Sequence, residues 1–307
     1  MARDGWTTVT PQSVCGICKH GSWCRVGERM IHCQRVESDK PAKGGGWYHP
    51  LGTNLPPPPP RRPKPPRLSD AQLDEKWRKV LGCCRPAPAN LDALATAMGV
   101  ARWTLDALRI QWDGCQYLIP SRSPSGLITG IDTRWVNGRK MVLPGSRRGL
   151  IYASDWQDYP GPVIVCEGAS DVLAALTMHL CVIGRPSNIG GVEQLARMLR
   201  HVQRPVIVMA ERDRKRHEDL APVVQAQHDP NCGGCLRCWP GFRGALITAD
   251  ALHARLGRPV NWAFTPSEKD TRSWLLARKI DVANPDACAR LGVELRMMLR
   301  PGKKIAL

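Results

Sequence analysis

The sequence predicts an α/β fold: a short parallel sheet flanked by helices, preceded by a small antiparallel subdomain of basic character and by a separate cysteine-rich head. Three observations predict it. Short apolar runs at 163–166, 180–183, 206–209 and 260–264 alternate with amphipathic stretches at 170–179, 191–201 and 245–256, the pattern of parallel strands buried on both faces. Upstream, strand-like segments at 115–120, 127–135 and 140–143 are punctuated by Gly126 and Asn137-Gly138, which mark turns of a compact antiparallel sheet. Finally, four cysteines crowd the region 15–33, ahead of a polyproline run.

In chain order, the head spans 1–52. Its thiols follow the spacing Cys15-x2-Cys18-x5-Cys24-x8-Cys33, in a segment rich in glycine and polar residues and too small for a core of its own. Four thiolates close a tetrahedral zinc site, and the metal then supplies the folding free energy that the missing core cannot. A zinc ribbon is expected. His20 and His32 are close enough to replace a cysteine, but are read as exposed or hydrogen-bonded. Trp23, Arg25, Arg29, Arg35, Trp47 and Tyr48 mix cations with flat rings, as a surface that stacks single-stranded bases would, although some of the rings must pack under the ribbon.

A Pro-rich basic linker follows at 53–68. Polyproline joins neither helices nor central strands and favours an extended spacer. The region 69–112 is helical: Ser69-Asp70 can cap a segment in which Leu73, Trp77, Val80 and Leu81 recur at helical spacing, and two shorter stretches follow at 91–98 and 104–108. With Gly99 between them, these two read either as a packing hairpin or as a helix-turn-helix. The antiparallel basic subdomain occupies 113–160, the α/β domain 161–282 with a cysteine-rich insertion at 214–243, and a C-terminal helix and tail 283–307.

Lys and Arg number 44 against 27 Asp and Glu, a net charge of +17. An Arg-rich composition accounts for part of the excess, and a polyanion is the expected partner, because cations that neutralise phosphates release condensed counterions. No apolar run approaches the roughly 20 residues of a spanning helix, and the N-terminus has no apolar signal region, so a soluble cytoplasmic protein without a membrane partner is expected. The thirteen cysteines cluster at metal-ligand spacing, which favours reduced thiols and zinc over disulfides.

In open α/β sheets, ligands gather at the carboxyl ends of strands. After the first parallel strand stands Glu167-Gly168-Ala169-Ser170-Asp171, and after the third Glu211-Arg212-Asp213. Carboxylates brought together there repel, and a hard divalent cation such as Mg²⁺ or Mn²⁺ relieves the repulsion and can bind phosphate oxygens. The same acids could instead cap helices or balance the basic run Arg214-Lys215-Arg216. Within the insertion, His228-x3-Cys232-x2-Cys235-x2-Cys238 makes a second zinc site, with His217 as a lesser alternative to His228.

These residues carry a resemblance. Residues 163–171 followed by 206–213 resemble the Toprim domain shared by bacterial and phage DNA primases, type IA and II topoisomerases and several nucleases. With a four-cysteine ribbon in front, the chain is most similar to the zinc-binding primases of bacteria and phages, over roughly 10–50 and 115–280. The resemblance implies a Toprim fold in which Glu167 acts as general acid/base, Asp171 matches the aspartate four residues on, and Glu211 and Asp213 hold Mg²⁺ or Mn²⁺ with Glu167. Glu211 departs from the family's Asp-x-Asp, Lys269-Asp270 resembles its later Lys-Asp motif, and Arg272 stands where a further acid is common. The stretch 183–191 sits at the family's glycine-containing loop; the resemblance implies that Arg185 within it and Lys269 also bind nucleotide or template, and that Asp270 is among the catalytic acids. Similarity of 130–152 to the family's basic subdomain implies nucleotide and template contacts by Arg134, Arg139 and Lys140, backed by Arg147 and Arg148. The implied function is a DNA primase that synthesises short primers on single-stranded DNA from nucleoside triphosphates. The alternatives are a Toprim nuclease and a non-catalytic zinc-dependent nucleic-acid-binding adaptor. No GxxxxGK[ST] occurs, so a separate replicative helicase is expected, in a phage or mobile-element setting.

Overall fold

The structure, a computed structural model, describes residues 6–42, 45–51, 67–220, 225, 228–229, 231–232 and 235–299. Most of the expected linker, Gly233-Gly234 and the tail from 300 lie outside the described residues. The chain divides into two compact units, one of residues 1–66 with 215–238 and one of 67–214 with 239–307. The expected insertion thus separates from the α/β unit.

The head is an antiparallel sheet in the order β1 (Thr7–Thr8), β2 (Arg25–Val26), β3 (Met30–Cys33), β4 (Trp47–Pro50). Its buried residues are Val9, Ile31 and three of the cysteines, too few apolar side chains to offset chain entropy unaided.

The larger unit opens with α1 (Asp70–Gly82), started by a capping box between Ser69 and Gln72. Its buried stripe of Leu73, Trp77 and Leu81 packs on Leu118, Ile128 and Ile131, and the Trp77 indole donates to the Thr129 carbonyl at 3.1 Å. Next come α2 (Pro88–Met98) and α3 (Arg102–Ala107), joined through Gly99 at a left-handed φ of 64°. Leu91, Leu94, Met98, Leu105 and Leu108 of this hairpin enter the main core, and α3 is only six residues long. Packing accounts for both helices.

The antiparallel sheet then runs in the order β5 (Gln111–Trp112), β6 (Gln116–Arg122), β7 (Ile128–Trp135), β8 (Lys140–Val142). The α/β part follows as β9 (Val163–Glu167), α4 (Gly168–Thr177), β10 (Val182–Arg185), α5 (Val192–Leu199), β11 (Val206–Ala210), α6 (Pro240–Leu256), β12 (Asn261–Phe264), α7 (Thr271–Ala277) and α8 (Pro285–Met298). Its sheet has the order β10-β9-β11-β12, all parallel. Alternate residues face opposite cores. Ile164, Cys166, Val182, Ile207 and Met209 join α4 on one side, whereas Val163, Val165, Ile183 and Val208 join Leu195, Leu199, Ala245 and Leu252 of α5 and α6 on the other. A bridge between Ile151 and Gly184, with hydrogen bonds of 2.9 and 2.7 Å, fastens the segment after the basic strands to β10. The basic strands are thereby held beside the carboxyl ends of the parallel sheet.

Candidate active site and metal centres

The sulfurs of Cys15, Cys18, Cys24 and Cys33 all lie within 4.8 Å of one another. Backbone N–H groups of Gln34 and Val36 point at the sulfurs of Cys24 and Cys33, at 3.5 and 3.4 Å, and the Arg35 guanidinium lies 3.9 Å from the sulfur of Cys18 and 3.8 Å from that of Cys24. Burial pushes the Cys24 thiol up to about 12 and raises Cys33, so these thiols keep their protons unless a cation replaces them. The donor set fits zinc. His32 is hydrogen-bonded to the Gly45 carbonyl at 2.7 Å and packs at a tilt against Tyr48, and His20 is exposed; neither belongs to the set. Of the aromatic residues expected at a stacking surface, Tyr48 packs with Trp6 and His32, while Trp23 is 60% exposed on a left-handed backbone, φ 68°.

The second cluster is also assembled: donors of His228, Cys232, Cys235 and Cys238 share the same 4.8 Å span. Nε2 of His228 lies 2.7 Å from the Cys238 sulfur, and the Cys235 N–H donates to the Cys232 sulfur at 3.1 Å. Burial, then the neighbouring sulfurs, push the Cys238 thiol up to about 11. This donor set fits zinc as well. His217 stands outside it, its Nδ1 3.2 Å from Nδ1 of His228.

In the larger unit, the register that sets Val165 opposite Val208 brings Glu167 level with Ala210, one residue before Glu211. Asp213 accepts from the Gly241 N–H with both carboxylate oxygens, at 2.9 and 3.0 Å, at the start of α6. A Cβ on residue 241 would stand 2.7 Å from Glu211 Cβ and 2.9 Å from Asp213 Oδ1, so only glycine lets the two acids close on this helix. Lys269 Nζ lies 3.7 Å from Glu211 and 4.0 Å from Asp270, and Asp270 caps α7 by accepting from the Ser273 N–H at 2.8 Å. Asp171 is buried in the first turn of α4 and accepts from the Arg272 N–H at 3.0 Å. Burial, then repulsion from Asp270, raise it to about 7. Glu211 is raised by burial and by Glu167, Asp213 and Asp270, against the pull of Lys269. Among the described residues, no three carboxylates bring their oxygens within 4.8 Å. Mg²⁺ needs no such cage: it is commonly held by one or two carboxylates, with water and phosphate oxygens completing the shell. An all-oxygen donor set whose mutual repulsion Lys269 offsets only in part fits that ion.

A cavity of about 360 Å³ adjoins this edge. Glu167, Ser170 and Glu211 line one part of it, Arg134, Lys140 and Arg148 another, and Leu94, Met98, Ile110 and Ile119 supply apolar lining. Lys140 reaches Ser170 Oγ at 3.5 Å, and Arg148 pairs with Asp132 at 3.1 Å. Burial, then Arg272, lower Arg134, a cation held without a carboxylate close enough for an ion pair among those described.

Three expected contacts fall elsewhere. Arg147 pairs with Asp70 and donates to the Leu68 carbonyl at 3.4 Å, tying the strand connection to α1; Arg148 is its neighbour at the cavity. Arg139 is exposed beside the hairpin turn and does not line the cavity. Arg185 is 0% exposed: it turns inward and donates to Thr248 Oγ1 at 2.9 Å and to the Gly244 carbonyl at 3.3 Å, because β10 packs its last side chain against α6. Arg272, in place of an acid, donates to the Met98 and Ala97 carbonyls and so closes the C-terminus of α2. Ser170 and Ser187 at the cavity and Gly241 beside Asp213 belong to the site without any mark in the sequence pattern. Pro240, at the first helical position, was the signal that α6 begins beside Asp213.

No protein-family model matches the chain, and no curated protein matches it. Among solved structures, it is similar to the zinc-binding and RNA polymerase domains of the Aquifex aeolicus primase, at 12% identity over 74% of this chain and 62% of that one, with a TM-score of 0.49. It is similar to the DnaG catalytic core at 15% identity, over 76% and 81%, with a TM-score of 0.48. To the primase fragment of the bacteriophage T7 primase-helicase it is 16% identical over 64% and 72%, with a TM-score of 0.40.

Proposed function

We propose that the protein is a primase-like nucleotidyltransferase with a Toprim-type acidic edge, making short primers on single-stranded DNA from nucleoside triphosphates. The observation that carries this reading is the cavity, which Arg134, Lys140 and Arg148 line together with Glu167 and Glu211. Such a surface accepts a polyphosphate on its cationic side and a hydroxyl to be deprotonated on its acidic side. Mg²⁺ or Mn²⁺, held by one or two of the carboxylates Glu167, Glu211 and Asp213 with water and phosphate oxygens completing the shell, would neutralise phosphate charge.

The remaining chemistry belongs to the chain. Lys140 and Arg134 hold the triphosphate and orient it against the edge. Glu167, at the end of β9, accepts the proton of the 3′-hydroxyl as that oxygen bonds the α-phosphorus, the α–β bridge breaks and pyrophosphate leaves on the cationic side. Gly241 fixes the Asp213 carboxylate through its N–H, and Lys269 moderates the charge of Glu211 and Asp270. The apolar lining from α2 and the antiparallel sheet limits water at the reacting centre. The head, with zinc on its four cysteines and Trp23 outward, engages the single-stranded template, and a separate helicase opens the duplex.

The test incubates the protein with single-stranded DNA, labelled nucleoside triphosphates and Mg²⁺ or Mn²⁺. Short oligonucleotides are expected from the wild type and a loss of roughly 100-fold or more from Glu167→Ala and Asp213→Ala. Template cleavage that needs the same residues would point to a nuclease, and tight binding without any product to an adaptor.

A further inference from the structure

We propose that the metal held by His228, Cys232, Cys235 and Cys238 sets the position of Asp213, making the insertion a zinc-dependent positioning device for the acidic edge. This rests on the reading of Asp213 as an acid that holds the divalent cation. Among its described residues, the insertion buries Leu220 and two of its own ligands, His228 and Cys238. With so little apolar burial, the ligand cage is what can hold its shape.

The cage holds both arms of the excursion. The departing arm meets the returning one where the Lys215 N–H donates to the carbonyl of Cys238, itself a ligand, at 2.8 Å. Two residues further on, His217 stacks on His228, with ring centroids 5.5 Å apart, and offers its Nδ1 to the ring nitrogen that the ligand does not turn toward Cys238. Such outer partners fix the orientation of a metal-bound imidazole. Just outside this closure the same two arms carry Asp213, two residues before Lys215, and Gly241, three residues after Cys238. Within the larger unit these are joined by the paired hydrogen bonds from the Gly241 N–H. Chain connectivity therefore links a metal-closed loop to the partner that orients a carboxylate. Loss of the metal frees the two arms to separate and relaxes Asp213.

The test measures zinc by elemental analysis and Mn²⁺ affinity by electron paramagnetic resonance, on the full chain. The wild type should carry two zinc ions. Combined Cys232→Ser and Cys235→Ser should leave one and weaken Mn²⁺ binding about tenfold, whereas Cys15→Ser with Cys18→Ser, which empties the head, should leave Mn²⁺ binding unchanged. Adding Asp213→Asn to the insertion variant should weaken binding no further than Asp213→Asn alone, since both act through one carboxylate. His217→Ala should keep both metals at saturating zinc but bind the second about 10- to 100-fold more weakly. A wild type with one zinc overturns the proposal. So does unchanged Mn²⁺ affinity in the insertion variant, an equal loss in the head variant, or losses that multiply with Asp213→Asn, the signature of independent damage. If the coupling holds and the wild type makes no oligonucleotides, the positioning role stands and the primase reading falls.

Discussion

Asp171 is the residue whose chemistry the fold alters most clearly. Burial and Asp270 lift it from an ordinary value of 3.8 to about 7, so the folded protein holds a proton that the unfolded chain releases near pH 4. The stability due to that proton is present in acid and is lost as the pH rises from about 4 through about 7. Asn at this position can still accept from the Arg272 N–H. Asp171→Asn is therefore expected to stabilise the protein by about 1–3 kcal/mol at pH 8 without added divalent cation and to change little near pH 4, as read by urea denaturation at both values. Gly241 gives the complementary prediction. A methyl group there meets both Glu211 and Asp213, and Gly241→Ala should cut oligonucleotide synthesis about 100-fold while costing about 1–3 kcal/mol of stability, measured by primer yield beside thermal melting. Neither effect was legible from the letters. Glu-x-Asp announces an acidic pair, but a raised pKa needs neighbours from α7, about a hundred residues away in the chain.

Among the elements, those with strong periodicity were read well. The four parallel strands and α1 lie within a few residues of expectation, because apolar spacing and the cap at Ser69 act locally. Helix α6 begins at Pro240, five residues before the apolar spacing marks it at 245, since its first turn is glycine-rich and weakly patterned. That turn matters most for the site, as it carries the N–H that holds Asp213. The two-residue β5 leaves no mark in the sequence, because so short a strand exists only by pairing with β6. Helix α8 shows how packing constrains an element: a Cβ on Gly292 would overlap the Met178 carbonyl oxygen, at the end of α4. Gly292→Ala should therefore destabilise the larger unit by about 1–3 kcal/mol despite its better helix propensity, a reversal of sign that chemical denaturation can check.

For the whole molecule, the net charge of +17 has two distinct uses. Some of it is structural: Arg147 ties to Asp70, Arg272 closes α2, and Arg204 donates to the carbonyls of Gln157, Tyr159 and Gly161. In the proposed reading, Arg134, Lys140 and Arg148, which line the cavity, are the share that meets phosphate. The head is expected to contribute to template binding only with its metal. Cys15→Ser with Cys18→Ser should lose one zinc and weaken single-stranded DNA binding about tenfold or more, with the melting of the larger unit unchanged, because the head has too small a core to persist alone. Fluorescence anisotropy at several salt concentrations measures this, and a shallower salt slope in the variant reports lost phosphate contacts. Among the described residues, no helix is long and apolar enough to cross a membrane.

What the sequence by itself determined was whatever depends on neighbours along the chain: two Cys/His clusters at a spacing able to hold a metal, the alternation that makes a parallel sheet, and acids placed just after strands. Only the tertiary structure decided which charges meet. The sheet order β10-β9-β11-β12 differs from chain order, and it sets Glu167 beside Glu211 while turning Arg185 inward onto α6. Likewise, nothing in two consecutive arginines says that Arg147 belongs to α1 and Arg148 to the cavity. The reason is physical. Backbone periodicity and ligand spacing are local, whereas electrostatic partners are set by which surfaces pack together, and packing joins residues far apart in sequence.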